Sequence, residues 1–122
     1  MEKYNKTVGT AGEKAAVKYL KKKGYKIIDT NYFVRGGEID IIAQKDGYVV
    51  FIEVKTRTSD KFGLPTEAVG YTKQQRIQNA ARFYIMSNGE VDIRFDVIGV
   101  VCDVTSNKIR IIEIEHIENA FY

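Results

Sequence analysis

Two β-strand-like runs that flank an Asp-Gly pair constrain the fold of this chain most strongly. Residues 37–45 and 48–55 are rich in β-branched and aromatic residues, and Asp46-Gly47 lies between them. An Asp-Gly pair is typical of a two-residue turn that joins antiparallel strands. If this pair forms the loop, the numbers of facing residues sum to 93. The pattern therefore predicts both a hairpin and its register.

The predicted register brings four charged side chains together at the open end of the hairpin. Asp40 faces Glu53, and Glu38 faces Lys55. Their side chains share one face because strand residues alternate with a period of two, and facing Cβ atoms lie about 4.5–5.5 Å apart. The opposite face is apolar and is predicted to enter the core; it consists of Ile39, Ile41, Ala43, Val50, Ile52 and Val54.

This charged cluster is unfavourable unless something neutralises it. Like charges directly opposite each other destabilise a sheet, and Asp and Glu are poor strand formers. A divalent cation is the simplest neutraliser, because Mg²⁺ favours one or two carboxylates together with waters and phosphate oxygens. Lys55 is two residues from Glu53 and can then touch the same phosphate or an attacking water. The alternative is a solvated strand face with an ordinary Glu38–Lys55 ion pair.

Length and composition are those of one globular domain, predicted to span residues 1–122. The net charge of +3 permits a nucleic-acid partner without requiring one. The single cysteine, Cys102, lies in an apolar run and is predicted to be a buried free thiol. The single histidine, His116, has no cysteine near it in sequence, which argues against an ordinary zinc site. No signal-peptide pattern and no long apolar stretch is present, so we expect a cytoplasmic protein without membrane contact.

The hydrophobic periodicity predicts the element order α-β-β-β-α-β-β. The predicted helices run from about Thr10 to Lys23 and from about Lys73 to Met86, and the predicted strands outside the central hairpin are Tyr25–Val34, Val91–Val104 and Lys108–Glu115. The second helix connects two strands as a crossover, so part of the sheet is expected to be parallel. The connection Thr56–Gly70 is long enough to indicate a functional loop.

Two segments carry the spacing of a helix capping box, in which a Thr is followed three residues later by Glu or Gln. These are Thr10 with Glu13 and Thr72 with Gln75. In such a box the two side chains satisfy backbone N–H groups at the start of a helix. The spacing predicts that both helices begin close to these threonines.

Arg35 and Arg57 lie near the charged cluster in sequence, and Lys73 and Arg76 lie on the exposed side of the second predicted helix. All four are candidate phosphate contacts. Arg57 follows Lys55 by two residues and shares its face if the strand continues. Arg is suited to bidentate phosphate contacts, whereas Lys acts as a point charge. The alternative for the two helical residues is a solvated helix face.

These motifs together resemble a known family. The resemblance rests on the runs Gly36–Ile42, Phe51–Arg57, Phe62-Gly63 and Arg94–Ile98, and it extends from about Gly9 to Phe121. Asp40 followed by Glu53-x-Lys55 resembles the signature of the PD-(D/E)XK, restriction-endonuclease-like superfamily. The longer runs resemble its YraN-like family of predicted endonucleases, which is related in fold to archaeal Holliday-junction resolvases. The resemblance implies an α/β fold with αβββαβ order and a central mixed sheet flanked by two helices.

The resemblance also implies a mechanism and a set of site residues. Asp40, Glu53 and Lys55 are the expected catalytic residues, and Asp40 and Glu53 would bind Mg²⁺ or Mn²⁺ with the Val54 carbonyl. A carboxylate of the first helix assists metal binding in this superfamily, so Glu13 has this second interpretation beside capping. Glu38 is expected to act through water in the same way. The implied reaction is metal-assisted hydrolysis of a phosphodiester bond without a covalent intermediate.

The substrate is expected to be DNA with a particular shape, branched or nicked, because a chain this short has little surface left for reading bases. Such a substrate favours a homodimer that meets two strands symmetrically. Two other hypotheses stay open at this point. One is a nucleic-acid-binding module that keeps the fold but does not cut, and the other is a structural or adaptor protein whose charged hairpin face meets a protein partner.

Overall fold

Seven helices and strands follow one another in the predicted order. The computed structural model describes residues 2–59, 69–89 and 91–121. The elements are α1 (Glu2–Lys22), β1 (Lys26–Val34), β2 (Gly37–Lys45), β3 (Tyr48–Thr58), α2 (Tyr71–Asn88), β4 (Asp92–Thr105) and β5 (Lys108–Phe121). Most of the predicted loop Thr56–Gly70 lies outside the described residues, and so do the Phe62-Gly63 pair and residue 90.

The five strands form one mixed sheet in the order β1-β2-β3-β4-β5. β3 and β4 run parallel over eleven residue pairs, and the other three neighbouring pairs are antiparallel. The parallel pair is the one that α2 connects, as expected for a crossover connection. The fold is therefore α/β, consistent with a restriction-endonuclease-like core, and the predicted fold class is confirmed.

The central hairpin forms around Asp46-Gly47. Both residues have positive φ angles of 51° and 86°, as a type I′ turn requires. Lys45 faces Tyr48, and the predicted register holds as far as Ile41, which faces Ile52. The antiparallel ladder ends there, so the two acidic positions lie where β2 and β3 part.

The two helices cover opposite faces of the sheet. On one face, α1 packs on alternating strand residues; this cluster contains Ala16, Leu20, Tyr25, Ile41, Ala43, Val50, Ile52, Ile98 and Val100. On the other face, α2 packs on the residues in between; this cluster contains Ile39, Ile42, Val49, Phe51, Ile77, Ala80, Ala81 and Phe95. The central strands are buried on both faces, which is typical of sheets with helices on each side.

Ile39 lies on the other face from the one predicted. Ile41 packs beneath α1, but Ile39, two residues earlier, packs beneath α2. Simple alternation would place both residues on one face. The switch occurs at Asp40, opposite Asn31 of β1, whose φ of 53° is unusual for a residue other than glycine. The alternation of side chains along β2 is thus interrupted next to Asp40.

Both capping predictions are wrong. α1 begins at Glu2, so Thr10 and Glu13 lie in its interior. The cap of α2 is Gly70, with no side-chain hydrogen bond, and the Gln75 amide donates to Gln78 within the helix instead. α2 ends at Asn88, two residues after the predicted Met86, and the N–H of Gly89, whose φ is 88°, donates to Ile85.

The last two strands form the second predicted hairpin. Ser106 and Asn107 make its turn, with φ angles of 51° and 63°, and Thr105 faces Lys108. β5 continues to Phe121, further than predicted. Cys102 is buried in β4 as expected. Among the described residues, neither helix has the length and apolar character needed to span a bilayer.

Candidate active site

β2 and β3 separate at Asp40. There the side chain of Asp40, and not the β2 backbone, accepts a hydrogen bond from β3. The backbone N–H of Val54 donates to Asp40 Oδ2 at 2.8 Å. This bond follows directly on the last regular pair, Ile41 with Ile52. A hydrogen bond to a carboxylate is stronger than one to a neutral carbonyl. It holds the Asp40 carboxylate against the edge of β3.

The Val54 carbonyl is directed toward the same opening. The N–H and C=O groups of one strand residue point to the same side of the strand. Since the Val54 N–H points toward Asp40, its C=O lies on the Asp40 side as well. A backbone oxygen therefore lies on the Asp40 side of β3, and its binding of a metal stays a prediction.

The carboxyl groups of Asp40 and Glu53 are hydrogen-bonded to each other. Glu53 is only 8% exposed. Burial, this hydrogen bond and the negative charge of Asp40 raise the pKa of Glu53 from 4.5 to about 8, although Lys73 opposes the shift. Two carboxyl groups in contact hold a proton between them, because both cannot ionise without a compensating cation. A proton or a nearby positive charge therefore stabilises this pair of carboxyl groups.

Lys73 of α2 enters the site. Its Nζ lies 3.3 Å from Glu38 Oε1 and 3.5 Å from Glu53 Oε2. Burial lowers the pKa of Lys73, but the charges of Glu53 and Glu38 outweigh burial and raise it above its usual value. The sequence analysis placed Lys73 on a phosphate-binding helix surface, whereas the structure places it among the carboxylates.

A glycine brings α2 close enough for this contact. A Cβ atom on Gly37 would clash with the backbone oxygen of Arg76 and would lie 3.0 Å from the backbone nitrogen of Ala80. α2 therefore rests directly on the backbone of β2, and Lys73 lies one turn before Arg76. The neighbouring Gly36 has a φ of 84° and serves the turn. Gly36 thus permits the turn, and Gly37 permits the close approach of α2 to β2.

A second glycine brings α1 to the same site from the opposite face. A Cβ atom on Gly12 would overlap the side chain of Thr56 on β3. Gly12 precedes Glu13, whose side chain hydrogen-bonds Asn31. Burial and the charges of Asp40 and Glu38 raise the pKa of Glu13, while the Asn31 bond lowers it. Glu13 is therefore close enough to feel the charges of Asp40 and Glu38, and its role in metal binding stays a prediction.

The donor set suits a hard cation that keeps several waters. Within residues 2–59, 69–89 and 91–121, no three His, Cys, Asp or Glu side chains converge as a full ligand set. Mg²⁺ does not require one, since it binds through one or two carboxylates and completes its shell with water and phosphate oxygens. Asp40 and Glu53 supply two adjacent carboxylates, and Val54 supplies a carbonyl beside them. These residues fit Mg²⁺ or Mn²⁺ rather than zinc.

The remaining predicted residues lie around this cluster. β3 continues to Thr58, so Lys55 and Arg57 alternate onto the face that carries Glu53, as predicted. Arg35 is exposed in the turn between β1 and β2, and its carbonyl accepts a bond from Asn79 of α2. Arg76 is half-buried on α2, one turn after Lys73. Their contacts with nucleic acid stay predictions.

Most of the chain matches a known family. A family model described as "Uncharacterised protein family UPF0102" matches residues 12–100. The chain belongs to the UPF0102 family. The matched span of this UPF0102 chain contains Glu13, Asp40, Glu53 and Lys73, which are the residues that meet at the site.

Related UPF0102 proteins resemble the chain over nearly its whole length. One from Caldanaerobacter subterraneus subsp. tengcongensis is 49% identical over 124 residues, which cover 99% of this chain and 100% of the relative. One from Alkaliphilus oremlandii is 51% identical over 121 residues, covering 96% and 99%. One from Thermodesulfovibrio yellowstonii is 49% identical over 116 residues, covering 94% and 96%.

The sequence analysis missed a second polar cluster, which is buried in the UPF0102 fold under α1. Asp96 of β4 is fully buried and takes two bonds of 2.9 Å from Arg94. His116 Nε2 lies 2.7 Å from Asp96 Oδ2, and the N–H of Asn119 donates to Asp96 Oδ1 at 3.0 Å. Burial raises the pKa of Asp96, but the bonds from His116, Arg94 and Asn119 outweigh burial and lower it.

This second cluster joins three elements. Tyr25, just before β1, accepts a 2.7 Å bond from Arg94, and the Tyr19 hydroxyl of α1 lies 3.2 Å from His116 Nδ1. The available signal was Arg94-x-Asp96, two opposite charges on one face of an otherwise apolar strand. Such a charged pair is buried only when its polar atoms are hydrogen-bonded. We assign this cluster a structural role, because Asp96 is fully buried and its carboxylate is satisfied by hydrogen bonds from the other residues of the cluster.

Proposed function

We propose that this UPF0102 chain is a metal-dependent endonuclease that hydrolyses phosphodiester bonds of DNA, the activity of the PD-(D/E)XK superfamily. The observation that carries the proposal is the hydrogen-bonded pair of Asp40 and Glu53 at the point where β2 and β3 part. Lys55 follows on the same face of β3. Adjacent carboxylates and a nearby ammonium group are what metal-assisted phosphodiester hydrolysis requires.

In this proposal Asp40, Glu53 and the Val54 carbonyl would hold Mg²⁺ or Mn²⁺, and Glu13 and Glu38 would act through water. Such an ion polarises a phosphodiester oxygen and lowers the pKa of a water molecule. Glu53, whose pKa is raised, would have to lose its proton to bind such an ion as a carboxylate.

Lys55 acts on the reacting phosphate. Its ammonium orients the attacking water or stabilises the negative charge that develops on the phosphate oxygens. Around it, Arg35, Arg57, Lys73 and Arg76 contact flanking phosphates and supply affinity that does not depend on base sequence. Branched or nicked DNA fits a small site of this kind, and a homodimer would present two such sites to two strands.

Cleavage of labelled single-stranded, duplex, flap and four-way-junction DNA tests the proposal. Each substrate is incubated with Mg²⁺, Mn²⁺ or EDTA and wild-type protein, Asp40→Ala or a matched control. The control is Asp92→Asn, which changes an exposed acid at the start of β4. We expect metal-dependent cutting by wild type and by the control, and its loss in Asp40→Ala.

Other outcomes would each reject the proposal in a defined way. DNA binding without cutting on any substrate identifies a binding module. Neither cutting nor DNA binding identifies a protein that acts through another partner, such as an adaptor. Equal cutting by wild type and Asp40→Ala would show that the activity does not arise at this site.

A further inference from the structure

The ammonium group of Lys73 occupies a bridging position between two strands. It reaches Glu38 on β2 at 3.3 Å and Glu53 on β3 at 3.5 Å. The side chain of Glu53 is 9% exposed, and those of Glu38 and Lys73 are 34% and 35% exposed. The Glu53 carboxylate is therefore approached by few groups, and Lys73 is one of them.

We propose, on the basis of the proposed metal-dependent function, that Lys73 is a positioning residue that competes with the divalent cation for Glu53 and Glu38. Metal binding then displaces the Lys73 ammonium, which becomes available to a DNA phosphate. Lys73 thereby couples metal binding to substrate binding. This role differs from that of Lys55, which follows Glu53 on the same strand.

Electrostatics support the competition. An ammonium group and a divalent cation are attracted by the same carboxylate oxygens, and they repel each other at the short distances of such a site. The Glu53 oxygen that faces Lys73 can therefore bind one of the two cations strongly, but not both at once. Removing the lysine charge leaves these oxygens to the metal alone.

The way α2 is docked limits the movement to the Lys73 side chain. Gly37 of β2 rests against the backbone of Arg76 and Ala80, so the helix is held in contact with the strand. The lysine side chain is a flexible four-carbon stem with a compact charge, and it changes rotamer without moving the backbone. Its partial exposure gives it a route toward solvent and toward a bound phosphate.

Mn²⁺ affinity, measured by electron paramagnetic resonance without DNA, tests the competition directly. The variants are Lys73→Met and the control Lys18→Met, which makes the same change at an exposed position of α1. We expect Lys73→Met to bind Mn²⁺ about fivefold or more tightly than wild type, within the usual range of coupling between sites. Lys18→Met should match wild type. Equal or weaker binding by Lys73→Met overturns the inference.

A double-mutant cycle keeps the test specific. In a Glu38→Gln background, Lys73 has lost one of its two partners, so the gain from Lys73→Met should differ from that in wild type. Identical gains in both backgrounds would show that Lys73 acts through its general charge, which overturns the bridging role. Circular dichroism melts confirm that each variant is folded.

The coupling to substrate is measured as DNA affinity in EDTA and in Ca²⁺, an oxygen-seeking cation, with gels run in parallel to monitor cutting. Ca²⁺ should strengthen DNA binding more for wild type than for Lys73→Met, and equal strengthening would overturn the coupling. Failure of the metal site itself is distinct: neither wild type nor Lys73→Met would then bind Mn²⁺. Mn²⁺ binding with equal affinity in both proteins overturns the role of Lys73 alone.

Discussion

The buried carboxyl group of Glu53 is hydrogen-bonded to the carboxyl group of Asp40. The two residues come from different strands, and they meet where the ladder between β2 and β3 ends at Ile41 and Ile52. Such a bond requires a proton on one of the two groups, and the pKa of Glu53 is raised to about 8 by burial and by Asp40. Proton release from this pair therefore affects the stability of the fold.

Replacing Glu53 by Gln should remove a pH dependence of stability. The pKa of Glu53 is 4.5 in an unfolded chain and about 8 in the folded protein, so the folded state holds its proton more tightly. In EDTA, the stability of wild type should fall as pH rises from about 5 to about 8, because a buried charge then forms. At pH 9 we expect Glu53→Gln to be more stable by roughly 2–4 kcal/mol.

Thermal melts between pH 5 and pH 9 measure this difference. The matched control is Glu113→Gln, which makes the same chemical change at an exposed position of β5 and should follow the wild-type profile. Parallel profiles for wild type and Glu53→Gln would contradict the raised pKa.

Replacing Gly37 by Ala should separate α2 from β2. The added Cβ atom would clash with the Arg76 carbonyl, which is backbone and cannot swing away as a side chain can. We expect a loss of about 1–3 kcal/mol in the free energy of unfolding, the usual range for overpacking. Urea denaturation measures it. Because Lys73 is carried by the same helix, Mn²⁺ affinity should change as well.

Gly9 provides the control for this substitution. It lies inside α1, and a Cβ atom there would meet no atom within 4 Å. Gly9→Ala should therefore stabilise the protein by about 0.5–1 kcal/mol through helix propensity alone. An equal response of the two glycines to alanine would argue against close packing at Gly37.

The sequence predicts the parts of this fold that depend on local patterns. Asp46-Gly47 determines its own turn and, through it, the register as far as Ile41, because turn type and alternation are properties of neighbouring residues. The parallel pairing of β3 with β4 follows from the crossover through α2 in the same way.

The sequence does not predict the parts of the site that depend on distant contacts. Asp40 accepts the Val54 N–H with its side chain, and Ile39 packs on the opposite face of the sheet from Ile41. Lys73 enters the site only because α2 rests on Gly37, thirty-six residues earlier in the chain. Such packing depends on side-chain volumes in three dimensions, which no spacing rule contains.

Replacing Asp96 by Asn should destabilise the fold without touching the candidate site. Asp96 is fully buried and accepts bonds from Arg94, His116 and Asn119. The change leaves the Arg94 guanidinium without its buried counter-charge, and breaking such a pair costs about 3–5 kcal/mol. Because the pKa of Asp96 is lowered by these partners, wild type loses their contribution only as pH falls below the usual carboxyl range.

Urea denaturation of Asp96→Asn and of Asp103→Asn distinguishes a buried pair from a surface pair. Asp103 meets Arg110 at 3.5 Å, and Arg110 is 79% exposed. Removing this surface pair should change stability by less than about 1 kcal/mol. Similar losses in the free energy of unfolding of the two variants would contradict the structural role assigned to the buried cluster.

Replacing Lys55 by Met should slow cutting strongly while leaving metal binding intact. Asp40, Glu53 and the Val54 carbonyl are all retained in this variant, so Mn²⁺ affinity should stay within about twofold of wild type if the lysine acts on the phosphate rather than on the metal. Loss of one group that stabilises developing charge lowers the turnover rate by about 10²–10³-fold. Lys108→Met makes the same change at the exposed first residue of β5, and this variant should cut like wild type. Single-turnover cleavage at saturating Mn²⁺ measures the rate, and a Lys55→Met rate equal to that of wild type would assign the catalytic ammonium to another residue.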